Sequence, residues 1–311
     1  MSKISGTIAK DTPSTKAWRG LSPKATRRII ETLKYIALSV WVIVCIFPFY
    51  WSFTIALKRP EMLYVLEFFP RHPTLRPFWN ALTNPMLFEG FINTMIVTGL
   101  ATGINVFTSL LAGYAFARIK FRGRKIAFKI MEMTMMVPFV IFFLPTIIVM
   151  ANFPLVGGNN ILGQGGSGFM NRQLVMLGIM LPSAVSVWNI FLLKQFFSTL
   201  PNDFGESARI DGASEFRIFV QIYMPLILPA LASLALFAIQ GGWNNYLWPN
   251  VVGQGRFRVL THAIVDYSFR VPPDPIGGMA MTLIVSFPMI ILFLITQKFF
   301  MSGLQAGGVK D

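Results

Sequence analysis

The chain has 311 residues, of which 54% are hydrophobic and only 13% charged, roughly half the charge content of a soluble domain, and its mean hydropathy is +0.59; this excludes an ordinary soluble domain and indicates a membrane protein. The formal net charge of +14 does not imply nucleic-acid binding, because the cations are divided among separate loops and form no basic stripe. A single cysteine, Cys45, rules out a disulfide within the chain, and no Cys, His or carboxylate cluster has the spacing of a metal site.

The first segment, Met1–Lys34, is polar and basic, and its Pro23–Lys34 part suits a helix lying on anionic headgroups. The rest, 35–311, reads as one all-α, polytopic membrane domain with six transmembrane helices. A helix needs about 20 apolar residues to cross a bilayer. The expected spans are Tyr35–Leu57, Phe91–Ala117, Ile126–Met150, Gln173–Leu193, Leu226–Tyr246 and Gly278–Phe299. The uncharged runs are continuous rather than alternating, which predicts helices and not a barrel. Two runs are long enough to hide a further span. Each ends in a stretch unsuited to lipid, Asn152–Asn171 and Asn244–Gly255, both rich in Gly and Asn, so one span is expected in each. The first span is too long for a signal-peptide core and is followed by no cleavage site. The second contains Gly99 and Gly103, a small-residue pair that suits close helix contact, either within the chain or with another subunit. No inverted pair of short, broken spans is evident. Of the 27 Lys and Arg residues, 19 fall on the side that holds both termini and the second and fourth connections, and 8 on the other. The positive-inside rule then places both termini in the cytoplasm.

Several engines are missing from the sequence. No Lys follows a Gly, so there is no phosphate-cradling Walker lysine. No His lies in a span, which excludes a Ser–His pair at membrane depth. Glu132 is the only acidic residue within an expected span, and beside Lys129 it is expected to reach the cytoplasmic interface rather than relay protons. A solitary gradient-driven carrier is the alternative reading, and it lacks an obvious coupling group. Uncharged amides do occur at membrane depth: Asn93, Asn105, Asn189, Gln240 and Asn244. They either join helices or line a polar path. Asn93, Asn189, Gln240 and Asn244 are the candidates for a pathway serving a neutral, hydrogen-bonding solute.

The fourth connection, about 196–225, gathers Asp203, Glu206, Asp211 and Glu215 from a total of 13 acidic residues. Pro201 suits the first position of a short helix, with Asp203 and Glu206 at its positive end. Gly212 follows where a helix stop requires positive φ. Ser214 reads as the N-cap of a second helix, with Phe216, Phe219, Val220 and Tyr223 on one face. Pro225 and Pro229 return the chain to the membrane. A helix–Gly–helix elbow of this length exceeds what a connection needs and suits docking of a soluble partner.

This elbow resembles the EAA motif of ABC-importer permeases, E-A-A-x3-G-x9-I-x-L-P. Here the pattern is Glu206, Ser207, Ala208, then Gly212, then Ile222 to Pro225, with Ser207 for Ala and Met224 for Leu. Gly205, within the first helix, is a further oddity that costs roughly 1 kcal/mol against Ala. The core from Arg209 to Ser214 is similar to the carbohydrate-uptake branch. Asn93–Thr94, Ala112–Arg118, Trp243–Pro249 and Gly303–Asp311 resemble the maltose type in the same order. The resemblance implies a permease of a bacterial or archaeal cytoplasmic membrane, with no catalysis and no cofactor of its own. It implies a second homologous permease, two copies of an ATPase subunit that bind ATP and Mg, and an extracytoplasmic solute-binding protein. It also implies that Glu206, Ser207, Ala208, Arg209, Asp211, Gly212, Ala213 and Pro225 form the ATPase-coupling surface. The tail residues Gly307 and Gly308 would contact the ATPase as well. The outer loop about Asn250–Asp274 would meet the binding protein, with Gly253, Gly255, Arg256 and Arg258 as a mobile finger. A sugar, oligosaccharide or polyol is the expected cargo; a non-sugar solute is the alternative within the family.

Overall fold

The structure, a computed structural model, describes residues 23–156, 160, 172–253, 255 and 257–308. The basic lead-in before Pro23, most of the Gly- and Asn-rich stretch after Val156, Arg256 and the tail residues Val309–Asp311 lie outside the described residues. All regular structure among the described residues is helical. In chain order the α-helices are α1 (Pro23–Ala56), α2 (Arg76–Leu82), α3 (Pro85–Arg118), α4 (Arg124–Thr134), α5 (Phe139–Ala151), α6 (Arg172–Met180) and α7 (Val187–Thr199). They continue as α8 (Asp203–Ile210), α9 (Glu215–Ile218), α10 (Met224–Leu226), α11 (Leu228–Trp243), α12 (Leu247–Gly253), α13 (Leu260–Phe269) and α14 (Pro275–Gly308).

Four stretches are long and apolar enough to cross a membrane: within α1, α3, α6–α7 and α14. The count rises to six when α4–α5 and α9–α11 are each taken as one bent span, in agreement with the six expected. Through Trp51 the chain forms a unit by itself, separate from Ser52–Asp311. Its helix exposes apolar side chains such as Trp41 and Ile43, as a helix bathed in lipid does.

The third span is not the single rod Ile126–Met150. Its halves α4 and α5 meet at 100°, because Pro138 has no N–H to give and its ring clashes with the carbonyl one turn back, at Thr134. The fifth span is also broken, by 79° between α10 and α11, where Pro229 sits in the first turn of α11. Broken spans are therefore present. The fourth is interrupted by the 3₁₀ turn Leu181–Ser183, after which the Ser186 side chain caps α7 by accepting from Asn189 N.

α3 is the hub of the larger unit and packs most extensively on α7, then on α11 and α13. Its start is fixed by Asn84, whose side chain accepts from Met86 N at 2.9 Å, with Pro85 as the first helical residue. Three buried clusters surround it. One, around Tyr114, Phe197, Phe219 and Tyr223, underlies the elbow. A second holds Val175, Trp248 and Phe257. The third joins Trp243, Leu260 and Met281.

Candidate functional site

The elbow is built as the residue types dictate. α8 starts at Asp203, with Asn202 at its N-cap, so Pro201 stands outside the helix, two residues ahead of its first position, rather than in it. Asp203 and Glu206 occupy the positive end. The C-terminus closes in a Schellman turn: Ala213 N donates to Ala208 O at 2.9 Å and Gly212 N to Arg209 O at 3.0 Å. This turn requires a left-handed residue, and Gly212 has φ of +82°. Ser214 then caps α9, accepting from Arg217 N at 3.3 Å. Asp211 and Gly212 are exposed at the tip, Glu206, Ser207, Arg209 and Pro225 are exposed, Ala208 is buried and Ala213 is half-buried.

Gly205 has a packing reason. A Cβ there would stand 2.7 Å from the Tyr223 hydroxyl, so the missing side chain lets α8 press against the start of the fifth span. The helix face expected from Phe216 to Tyr223 needs one correction. Phe219 and Tyr223 are buried, but Phe216 is exposed and Ile218 takes its place inside. Phe219–Tyr223 is a π-turn, and its extra residue per turn shifts the register. Phe216 (72% exposed) and Ile210 (86% exposed) therefore flank Gly212 as exposed apolar side chains on a polar tip. Sequence periodicity hid them by assigning Phe216 to the inner face.

The elbow is fastened to the last two turns of α3. The Tyr114 hydroxyl donates to Glu215 Oε2 at 3.0 Å. Glu215 also accepts from Arg209 Nε at 2.6 Å and Nη2 at 3.2 Å. The Arg209 hydrogen bonds hold the Glu215 carboxyl below its ordinary range, against the opposing pull of desolvation, and Tyr114 adds to the lowering. Arg118, at the end of α3, donates to Asn202 Oδ1 and to the carbonyls of Phe197 and Leu200. Its guanidinium lies 4.7 Å from the Tyr223 ring centroid. A cation at the negative end of α3 thus also ties α7, α8 and the fifth span together.

Further along, the same helix lines a cavity of about 430 Å³. Thr94, Thr98, Thr102 and Asn105 supply its α3 wall, and Ser186, Trp188, Asn189 and Asn245 face them. Among the described residues, no ionisable side chain belongs to the lining. Of the four pathway candidates only Asn189 is there. It donates to Asn105 Oδ1 at 2.6 Å, and Asn105 donates to Ser183 O at 2.6 Å. Asn93 is placed elsewhere, donating to Arg258 O at 2.7 Å. Gln240 and Asn244 are exposed outside the cavity, Asn244 bonded to Gln240 O. The hydroxyl stripe at Thr94, Thr98 and Thr102 was missed, although its spacing of four is legible in the sequence.

In the segment expected to meet the binding protein, Gly255 and Arg258 lie in the non-helical connection between α12 and α13. Gly253 is buried at the end of α12, and Gly255 has φ of +73°. Arg258 pairs with Asp266 at 3.1 Å. Arg256 lies outside the described residues. Thr94 Oγ1 accepts from Leu260 N at 2.8 Å, so the outer part of α3 is pinned to the start of α13. Nearby, the buried His262 accepts from Val259 N at its Nδ1 and faces the Tyr246 ring at 5.1 Å. Burial lowers its pKa, with Asp266 opposing. Gly307 and Gly308 end α14.

Residues 105–305 match the family described as the inner membrane component of binding-protein-dependent transport systems. The chain belongs to this family. It is 33% identical over 225 residues, 72% of this chain and 74% of the relative, to the arabinooligosaccharides transport system permease protein of Bacillus subtilis. It is 29% identical to an inner membrane ABC transporter permease of Escherichia coli, covering 89% of this chain and 95% of that one. A lactose transport system permease of Rhizobium radiobacter is 26% identical, with coverage of 91% and 98%. Among solved structures, a chain of a bacterial ABC transporter involved in import of the acidic polysaccharide alginate superposes with a TM-score of 0.73. It shares 20% identity and is covered to 99%, against 90% of this chain, which shows a common fold. The all-helical, multi-pass inner-membrane architecture expected from the resemblance is thereby established. Family members are transport components that work with a binding protein.

Proposed function

We propose that this chain forms half of the translocation pathway of an ATP-driven importer for a sugar, oligosaccharide or polyol, with no catalysis of its own. A second homologous permease supplies the other half. Two ATPase subunits holding ATP and Mg grip the elbow from the cytoplasm, and an extracytoplasmic binding protein delivers the solute to the outer loops. Both termini face the cytoplasm in this arrangement, as the Lys and Arg bias requires.

The observation that carries this reading is the joint between elbow and cavity. One rigid helix, α3, is fastened to the elbow through Tyr114 and Arg118 and presents Thr94, Thr98 and Thr102 to the cavity. Movement of the elbow is therefore delivered to the cavity wall. A lining of hydroxyls, amides and the Trp188 ring, with no charge, matches a neutral polyhydroxylated solute, which needs paired hydrogen bonds and an apolar face. A charged amino acid or an ion would leave its charge unpaired there. The relatives named for arabinooligosaccharides and lactose point the same way. On the open side of α3, a Cβ at Gly99 or Gly103 would meet nothing within 4 Å, which supports a close helix contact with the second permease.

Gly212→Asp tests the elbow directly. A Cβ at Gly212 meets nothing within the chain, and Asp is among the residues that best tolerate left-handed backbone. The variant is expected to reach the membrane in wild-type amount and to abolish uptake of the sugar bound by the cognate binding protein. Normal uptake would remove the elbow from the mechanism.

A further inference from the structure

Outside the α3 cavity, and meeting the elbow only where Arg124 and Lys120 border a second cavity with Glu206, Arg209 and Glu215, lies the helix α4. It carries Arg124, Lys125 and Lys129, and the loop before it adds Lys120 and Arg122. Glu132 is the only carboxylate between Arg118 and Ala151. Arg124 is used internally, donating to Ile119 O at 3.0 Å. Among the described residues, Lys120, Arg122, Lys125 and Lys129 have no carboxylate within ion-pairing distance.

The helix has two distinct faces. Phe128 turns to the protein, its ring 5.3 Å from that of Phe116 on α3 and 6.3 Å from that of Phe191 on α7. On the other side Ile126 (68% exposed), Ile130 (59%) and Met133 (52%) stand at i, i+4 and i+7. They form one apolar stripe, and no residue of α4 is buried. Lys129 and Lys125 lie roughly 60° and 100° around the axis from Ile126, beside the stripe. The 13 residues of α5 reach about 20 Å, short of the hydrocarbon thickness of about 30 Å. Because α4 leaves α5 at 100°, an α5 directed into the bilayer sets α4 near the plane of its surface. An apolar stripe bordered by unpaired cations at that level is the form of an interfacial helix.

We propose that α4 and the loop Lys120–Gly123 bind anionic phospholipid headgroups of the cytoplasmic leaflet. The stripe enters the acyl boundary, and Lys120, Arg122, Lys125 and Lys129 hold the phosphates. Charge complementarity selects this occupant: four unpaired cations repel one another until anions arrive. Placement on the cytoplasmic leaflet rests on the orientation proposed above. Through Phe128 the surface bears on α3 and α7, so bound lipid steadies the helices that also carry the elbow.

The test is a native mass-spectrometry titration of the purified full-length chain with phosphatidylglycerol and, in parallel, phosphatidylcholine. The wild type is expected to retain phosphatidylglycerol preferentially, with the preference weakening as salt rises. Each cation near an anionic surface is worth about fivefold, so the variant Lys120→Gln/Arg122→Gln/Lys125→Gln/Lys129→Gln should lose the preference at least tenfold. Neutralising Arg59 and Arg76, in the connection expected on the opposite face, should instead leave it largely intact. Lys125→Gln/Lys129→Gln alone, a milder change, should give an intermediate loss, which guards against misfolding of the fourfold variant. An unchanged preference in the fourfold variant would overturn the proposal. So would loss of ATPase co-purification with lipid preference unaltered, since that assigns the surface to a protein partner. Sidedness is read separately, by labelling Lys125→Cys in a Cys45→Ser background with an impermeant maleimide. Labelling in inverted vesicles supports the cytoplasmic leaflet. Labelling only from outside contradicts both the leaflet and the orientation, whatever the titration shows.

Discussion

The two ends of α3 are held by different chemistry. At the outer end Asn93 and Thr94 make neutral hydrogen bonds to the backbone of Arg258 and Leu260. At the elbow end the Tyr114 hydroxyl meets a carboxylate already paired with Arg209, and the Arg118 guanidinium gathers three oxygens and an aromatic face. Charge-assisted bonds are shorter and about twice as strong as neutral ones. The helix is thus fixed firmly at the elbow and more lightly at its far end, with the cavity face between. A rod anchored in this way transmits a push without carrying the outer loops rigidly with it.

The largest expected effect comes from removing the strong anchor. Arg118→Gln withdraws a charge from three acceptors at once, and at up to about 1–3 kcal/mol for each charged bond it should cost about 3 kcal/mol or more. It should also separate ATP hydrolysis from uptake in the assembled transporter. Thermal unfolding together with paired hydrolysis and uptake assays checks this. An Arg118→Lys variant should recover the charge but not the forked geometry, and so only part of the coupling.

A smaller effect sharpens the packing side of the same anchor. Gly205→Ala should destabilise by about 1–3 kcal/mol through overpacking against Tyr223, although Ala is otherwise the better helix former. In a Tyr223→Phe background the hydroxyl is gone, and the penalty should shrink measurably. An equal penalty in both backgrounds would mean that Tyr223 is not what Gly205 accommodates.

Much of this elbow was legible from residue types. Gly212 at a helix stop and Ser214 at a helix start are local requirements, written into the chain by backbone sterics and capping. Gly205 looked unfavourable because its justification, the Tyr223 ring, is a tertiary contact. Phe216 was assigned inward because a π-turn breaks the 3.6-residue period that the assignment depends on. In the third span the hydropathy run crossed Pro138 without a break, since hydropathy does not register the N–H that proline lacks. The pathway amides were judged by polarity alone. Asn93 and Asn189 are committed to backbone and side-chain partners, and the cavity owes its α3 wall to a threonine stripe whose spacing of four is legible in the sequence, while the elements that face it, α7 and α11, are a matter of tertiary packing.

The smallest predicted effect distinguishes the two ends by pH. His262 lies in the outer clamp, and burial holds its pKa below the ordinary value. A depressed pKa gives a stabilisation that is complete above about pH 6.5, the unperturbed value, and fades as pH falls further. The Glu215 carboxyl is also depressed, by Arg209, so the inner anchor survives until below the ordinary carboxylate range near about pH 4.3. Between these limits acid should loosen only the outer end. Hydrogen exchange at pH 5.5 against pH 7.5 should show protection lost around Leu260–Phe269 and kept around Asp203–Tyr223, and His262→Gln should remove the difference.

The central claim is that the elbow is gripped by a nucleotide-driven partner, and a photo-cross-linking residue at Ile210, beside Gly212, reads it most directly. In cells carrying the whole transporter, the account predicts an adduct with the ATPase subunit whose yield changes when ATP is depleted. An elbow that yields no adduct, or one that captures an extracytoplasmic protein, would contradict it.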